Sequence, residues 1–190
     1  MKNINGCFTL VFITAMFAPS LCAENLMDQA ELETEAKNIV KTFGGLLKPK
    51  LKHAIQSGGL EHAISVCAIE APKIAKDLSN ETGWSVKRVS LKPRNENTAL
   101  PDTFERKVLE QFNKRQEDGE QASAISYSET VDNKFRFMKA QGVEGLCLNC
   151  HGQSIQPDVK KALTKYYPTD TATGYSLGQI RGAFSLIKDK

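Results

Sequence analysis

The sequence has little excess charge of either sign. Lys and Arg number 25 against 22 Asp and Glu in 190 residues, a formal net charge of +3. With no run of like charges, this balance is too mild and too dispersed for nucleic-acid binding. Low-complexity segments and internal repeats are also lacking. Beyond the N-terminus, no stretch is apolar enough to span a bilayer. Histidine is scarce, at three, and cysteine stands at five. A structural zinc site takes about four such ligands, so it would use up half of them. What is present is enough apolar material for a core, 41% of the chain, in a length that suits one domain.

The N-terminus sets the compartment. Lys2 gives a short positive start, Phe8 to Phe17 is apolar, and Ala18-Pro-Ser-Leu-Cys-Ala23 offers small residues for cleavage. This reads as a secretory signal peptide over residues 1–23, cut after Ala23, with Ser20 as the alternative. A retained anchor helix is the rival reading, but the run is too short to cross ~30 Å of hydrocarbon as a helix. Leu21, bulky and just ahead of Cys22, departs from a lipoprotein pattern. The expectation is a single domain over residues 24–190, soluble and periplasmic, with no stable membrane insertion. Cleavage removes Cys7 and Cys22 and leaves Cys67, Cys147 and Cys150. An odd cysteine in an exported protein needs a use.

Periodicity predicts a helix over 26–57, weakened by Gly44-Gly45 and Pro49, then a turn at Ser57-Gly58-Gly59. A second helix is predicted over Leu60 to Asn80, kinked at Pro72. Trp84 to Leu91 reads as a strand and Lys92 to Pro101 as a long polar loop. Asp102 and Glu105 fit a capping box at the start of a further helix. Ala122 to Thr130 and Lys134 to Ala140 read as a hairpin turning at Asp132-Asn133. Pro157 opens a short helix ending near Tyr166, and Gln179 to Ile187 forms the last strand. The predicted class is α+β, with N-terminal helices packed against an antiparallel sheet.

One motif carries chemistry. Gly145-Leu-Cys-Leu-Asn-Cys-His-Gly152 places two thiols two residues apart, with a histidine directly after. Such thiols can add to the two vinyl groups of a haem, and the histidine then supplies an axial nitrogen. Gly145 and Gly152 would let the backbone approach a porphyrin closely. On this reading the cofactor is one haem c, covalently held through Cys147 and Cys150. The runner-up is a periplasmic thiol–disulfide oxidoreductase using the same two cysteines. Such dithiols usually sit at a helix N-terminus after a strand, where the dipole lowers the thiol pKa. A zinc site built from Cys147, Cys150, His151 and one remote residue is a third reading.

A haem iron needs a sixth ligand or an open position. Met27, His53, His62, Cys67 and Met138 are the candidates. Met138 alternates with Phe135 and Phe137 and reads as packing, and His53 lies among Lys50, Lys52 and Gln56 as a solvated residue. His62 and Cys67 are about 140° apart around a helix, so both cannot face one iron squarely. Cys67 shares its face with Ala63 and Ala71, whose small side chains leave a flat surface for a porphyrin. A buried small hydrophobe is the competing reading of Cys67. Arg88, Arg94 and Arg181, with Tyr175 as a hydroxyl donor, are candidates for propionate contacts.

Four blocks, in order, resemble one family. They are Ala63-Ile-Ser-Val-Cys-Ala-Ile-Glu-Ala-Pro-Lys-Ile-Ala75, Lys92-Pro-Arg-Asn95, Cys147-Leu-Asn-Cys-His151, and the ending from Tyr167 to Ser185. The family is that of small c-type haem domains first described as a cyanobacterial c-type cytochrome and also found as sensory modules. The resemblance spans roughly 30 to 187. It implies a PAS-like fold and an iron held by His151 and Cys67. The chain departs from the family after Arg94-Asn95, where Glu96-Asn97 stands in place of an early proline. A thiolate opposite histidine implies stabilised ferric iron and a low potential. A site closed by two protein ligands disfavours enzymatic turnover. The implied role is electron transfer, or redox or gas sensing, with a redox or signalling partner protein.

Overall fold

The computed structural model describes residues 21–190, with side chains from residue 28. The expected signal segment therefore lies outside the described residues up to 20. The side chain of Met27 lies outside them too. Among the described residues, no helix is long and apolar enough to cross a membrane.

Helix α1 runs over Leu21–Thr82 and is really two helices joined at Gly58 and Gly59, whose dihedrals are not helical. Gly59 has φ 73° and ψ −170°, a region essentially reserved for glycine. The turn expected there is present. A kink or break is expected at Gly44-Gly45 and Pro49, and no break occurs there, since the only non-helical dihedrals inside α1 are at Gly58 and Gly59. Phe43 is buried against the sheet just before Gly44, and that burial outweighs the roughly 1 kcal/mol a helical glycine costs.

The rest is a four-stranded antiparallel sheet with helices on both faces, as expected for the α+β class. Strand β1 is Ser85–Val89, β2 Ser126–Val131, β3 Lys134–Gly142 and β4 Ile180–Asp189, in the spatial order β1-β4-β3-β2. Asp132 and Asn133 both take positive φ, giving the tight turn between β2 and β3. Strand β2 starts later than expected. Ala122 to Ile125 instead forms turns, with Ala122 and Ile125 buried under helix α3. Helix α3, Thr103–Glu117, opens with the expected capping box between Asp102 and Glu105. The polar loop before it holds a one-turn helix α2, Glu96–Ala99, docked on β1 by the Ser90 amide donating to the Ala99 carbonyl at 3.0 Å.

Strand alternation divides the core. Val86, Phe135, Phe137, Phe184 and Leu186 face Ala36, Ile39, Phe43, Ala71, Ile74 and Leu78 of α1. Met138, Ala140 and Ala183 face Val108, Leu109 and Phe112 of α3. A third cluster joins Ile64 of α1 to Ile155 and to Val159, Ala162 and Leu163 of the last helix, with Cys150 packed against it. That cluster presses the cysteine motif onto the second half of α1.

Candidate functional site

The motif expected in a loop is wound instead. A 3-10 turn over Gly145–Cys147 passes into the one-turn helix α4, Leu148–His151, and helix α5 follows at Pro157–Tyr166. Gly152 closes that turn. Its amide donates to the Leu148 carbonyl at 2.9 Å, and a Cβ there would sit 2.5 Å from the same oxygen. The Gly174 amide then bonds the Gly152 carbonyl and the Tyr175 amide bonds the His151 carbonyl, each at 2.9 Å. The histidine is thereby fixed between α4 and the segment leading into β4.

A cavity of about 620 Å³ opens between α1, β1 and this motif, within the roughly 300–1,000 Å³ usual for cofactor sites. Cys67, Cys147, Cys150 and His151 all line it, with Arg88, Arg94 and Arg181. The structure therefore gathers seven of the eight singled-out residues around one space. Tyr175 stands behind it. Its ring packs edge-on to His151 at 6.4 Å and its hydroxyl donates to the Arg181 carbonyl at 3.4 Å. His53 and His62 are exposed and line a separate shallow pocket with Lys50 and Glu70. Met138 is buried on the α3 side. Cys67, Cys147 and Cys150 are all free thiols.

The histidine is prepared as a ligand. Its Nδ1 lies 2.7 Å from the Ala172 carbonyl, an obligate acceptor, so Nδ1 carries the proton and Nε2 keeps its lone pair. The Arg181 Nε, 3.1 Å from the same Nδ1, cannot then donate to it. Arg181 is held instead by its Nη1, which donates to Ser90 at 2.9 Å and to the Lys92 carbonyl at 3.2 Å. Burial and the Arg181 and Arg94 charges push the His151 pKa down to about 2, so the imidazole is neutral and competent to bind metal. Arg94 reaches Nε2 at 3.5 Å and pairs with Asp170 at 3.1 Å. It also donates to the Cys150 and Ala172 carbonyls. Burial raises the Cys67 and Cys150 thiols above their usual pKa, opposed by Arg88 at Cys67 and by Arg94 at Cys150. Burial likewise pushes Arg181 down to about 10.

Asp170 and the Ala172 carbonyl are functional groups that motif reading missed. Asp170 lies in a quoted block but carried no role there, and a backbone carbonyl has no residue signature. Among the described residues, no group of three or more His, Cys, Asp or Glu is placed to hold a metal ion.

The class defined by fold and site is an α+β domain whose sheet and long helix enclose one cavity, lined by a Cys-x-x-Cys-His turn and a remote cysteine. The chain belongs to the Tll0287-like family, whose model matches residues 20–188. Its fold is similar to that in the crystal structure of the cyanobacterial heme-protein Tll0287. The TM-score is 0.64 at 23% identity, covering 84% of this chain and 96% of that one. No curated protein sequence matches the chain.

Proposed function

We propose that this protein is an exported, periplasmic monohaem c-type cytochrome serving electron transfer or redox or gas sensing. The observation that carries the reading is the single cavity where Cys147, Cys150, His151 and Cys67 meet. The donor set fits the group: two free thiols for covalent attachment, a neutral imidazole whose Nε2 keeps its lone pair, and a third thiol on a helix face between Ala63 and Ala71. Family membership and the likeness to a haem protein support it.

Haem supplies a one-electron iron couple. Cys147 and Cys150 would hold it covalently, and His151, oriented by the Ala172 carbonyl, would offer its Nε2 to the iron. Cys67 would supply a thiolate to the same iron. Arg94 and Arg181, beside His151, are the cations for the propionates, and Tyr175 steadies that wall from behind. Two protein ligands leave no open position, so the role is carriage of an electron or response to its arrival, not turnover. The PAS-like character implied by the family resemblance keeps sensing in view. The dithiol alternative fits less well, because burial raises the Cys150 thiol instead of activating it.

Expression into a compartment with haem-attachment machinery tests this. The intact mass should rise by one haem, and the Soret band should stay with the chain after denaturation. A colourless protein would sink the reading. Rapid reduction without a change of ligand would favour a carrier, whereas ligand loss on reduction would favour a sensor.

A further inference from the structure

Arg88 stands where strand alternation asks for an apolar side chain. On β1, Val86 and Arg88 point to the α1 side, and Val86 is buried in that core. The Arg88 guanidinium lies 5.2 Å above the ring of Phe43 and faces the cavity. Among the described residues it makes no hydrogen bond and no ion pair. Its two companions differ: Arg94 is paired with Asp170, and Arg181 is held by Ser90 and the Lys92 carbonyl. The residue is half-buried, and a guanidinium that opens on a cavity without a counter-charge suits an anionic group in that space.

Geometry separates the three arginines. Arg94 and Arg181 approach the His151 ring at 3.5 and 3.1 Å. Among the described residues, Arg88 makes no hydrogen bond to the motif. Phe43 beneath it packs in one cluster with Ala71, the residue one turn beyond Cys67. Arg88, Cys67 and Tyr167 line the same cavity.

We propose that Arg88 is the positioning partner of the Cys67 sulfur, donating to the thiolate and holding it at the iron, while the propionates fall to Arg94 and Arg181. This rests on the haem reading above. Arg88 stays protonated throughout and no covalent bond changes. Its fixed charge offsets the thiolate in a wall that otherwise disfavours anions. A planar fork with five donors suits this better than an ammonium would.

The test is resonance Raman spectroscopy of the ferric holoprotein, comparing wild type, Arg88→Gln and Arg88→Lys. Losing donors to sulfur should move the iron–sulfur stretch to higher frequency in R88Q, and less far in R88K. On reduction, the ratio of Cys67-bound to Cys67-free protein should fall about tenfold in R88Q, the worth of one charge-assisted hydrogen bond. An unmoved iron–sulfur stretch with shifted propionate modes would make Arg88 a propionate contact and overturn the proposal. A wild type with haem but no iron–sulfur stretch would overturn the Cys67 ligation beneath it as well. Should R88Q take up no haem, R88K decides alone. It keeps the charge and changes the donor geometry, so its stretch moves only if residue 88 donates to sulfur.

Discussion

The two faces of the sheet both turn charge inward, and they treat it differently. On the α3 side, Glu105 is fully enclosed and fully partnered. It accepts from Lys87 at 2.9 Å, from Ser185 at 2.6 Å and from the Asp102 amide at 2.8 Å. On the α1 side, Arg88 faces a cavity with no protein partner, and Cys67 shares that space. A buried charge satisfied from within serves the fold. A half-buried charge that faces a cavity without a partner is free to meet a ligand's charge. The sheet thus separates a closed polar network from the open candidate site.

Removing both thiols should have the largest effect on the open side. Cys147→Ser with Cys150→Ser is expected to abolish covalent haem, read as loss of the haem mass increment, and to leave the α3 side folded by circular dichroism. On the closed side, Glu105→Ala strands Lys87, Ser185 and the helix cap. It should cost about 3 kcal/mol in urea unfolding, with the haem spectrum of the folded protein unchanged. A changed spectrum would show that the two faces are coupled.

The haem-free double serine variant adds a pH test confined to the open side. His151 holds a folded pKa of about 2 against an unfolded value of about 6.5. Below the unfolded value only the unfolded chain takes the proton. Stability from this group is therefore complete above about pH 6.5 and declines as pH falls from there towards 2. Urea midpoints that rise on acidification through this window would contradict a buried neutral histidine.

Smaller effects belong to the frame. Gly59→Ala forces a side chain into a glycine-only backbone region and should cost about 1–3 kcal/mol by the same unfolding assay. Lys114→Ala removes an exposed pair with Asp118 one helical turn away and should change stability by less than about 0.5 kcal/mol.

The same contrast governs what could be read from sequence. The capping box at Asp102 and Glu105, the Asp132-Asn133 hairpin and the Pro157 helix start are local signals, and each appears where expected. The burial of Glu105 was not legible, because Lys87 and Ser185 lie 18 and 80 positions away. The glycines at 44 and 45 read as a break because local propensity says so, and long-range packing of Phe43 overrides it. At the candidate site, Cys147, Cys150 and His151 stood out by spacing, whereas the alanine-flanked face left Cys67 one candidate and the family resemblance singled it out. The Asp170 clamp on Arg94 and the Ala172 carbonyl on His151 arise from contacts 76 and 21 residues apart. No spacing rule reports those. Arg88 was legible as a cation, but its lack of a partner became visible only once its neighbours were in place.

The central claim is that Cys67 and His151 meet at one iron. Iron K-edge X-ray absorption of the ferric protein tests it most directly, with Cys67→Ala as the control. The account predicts one sulfur among six scatterers in the wild type and none in C67A. Six nitrogen or oxygen neighbours in the wild type would contradict it.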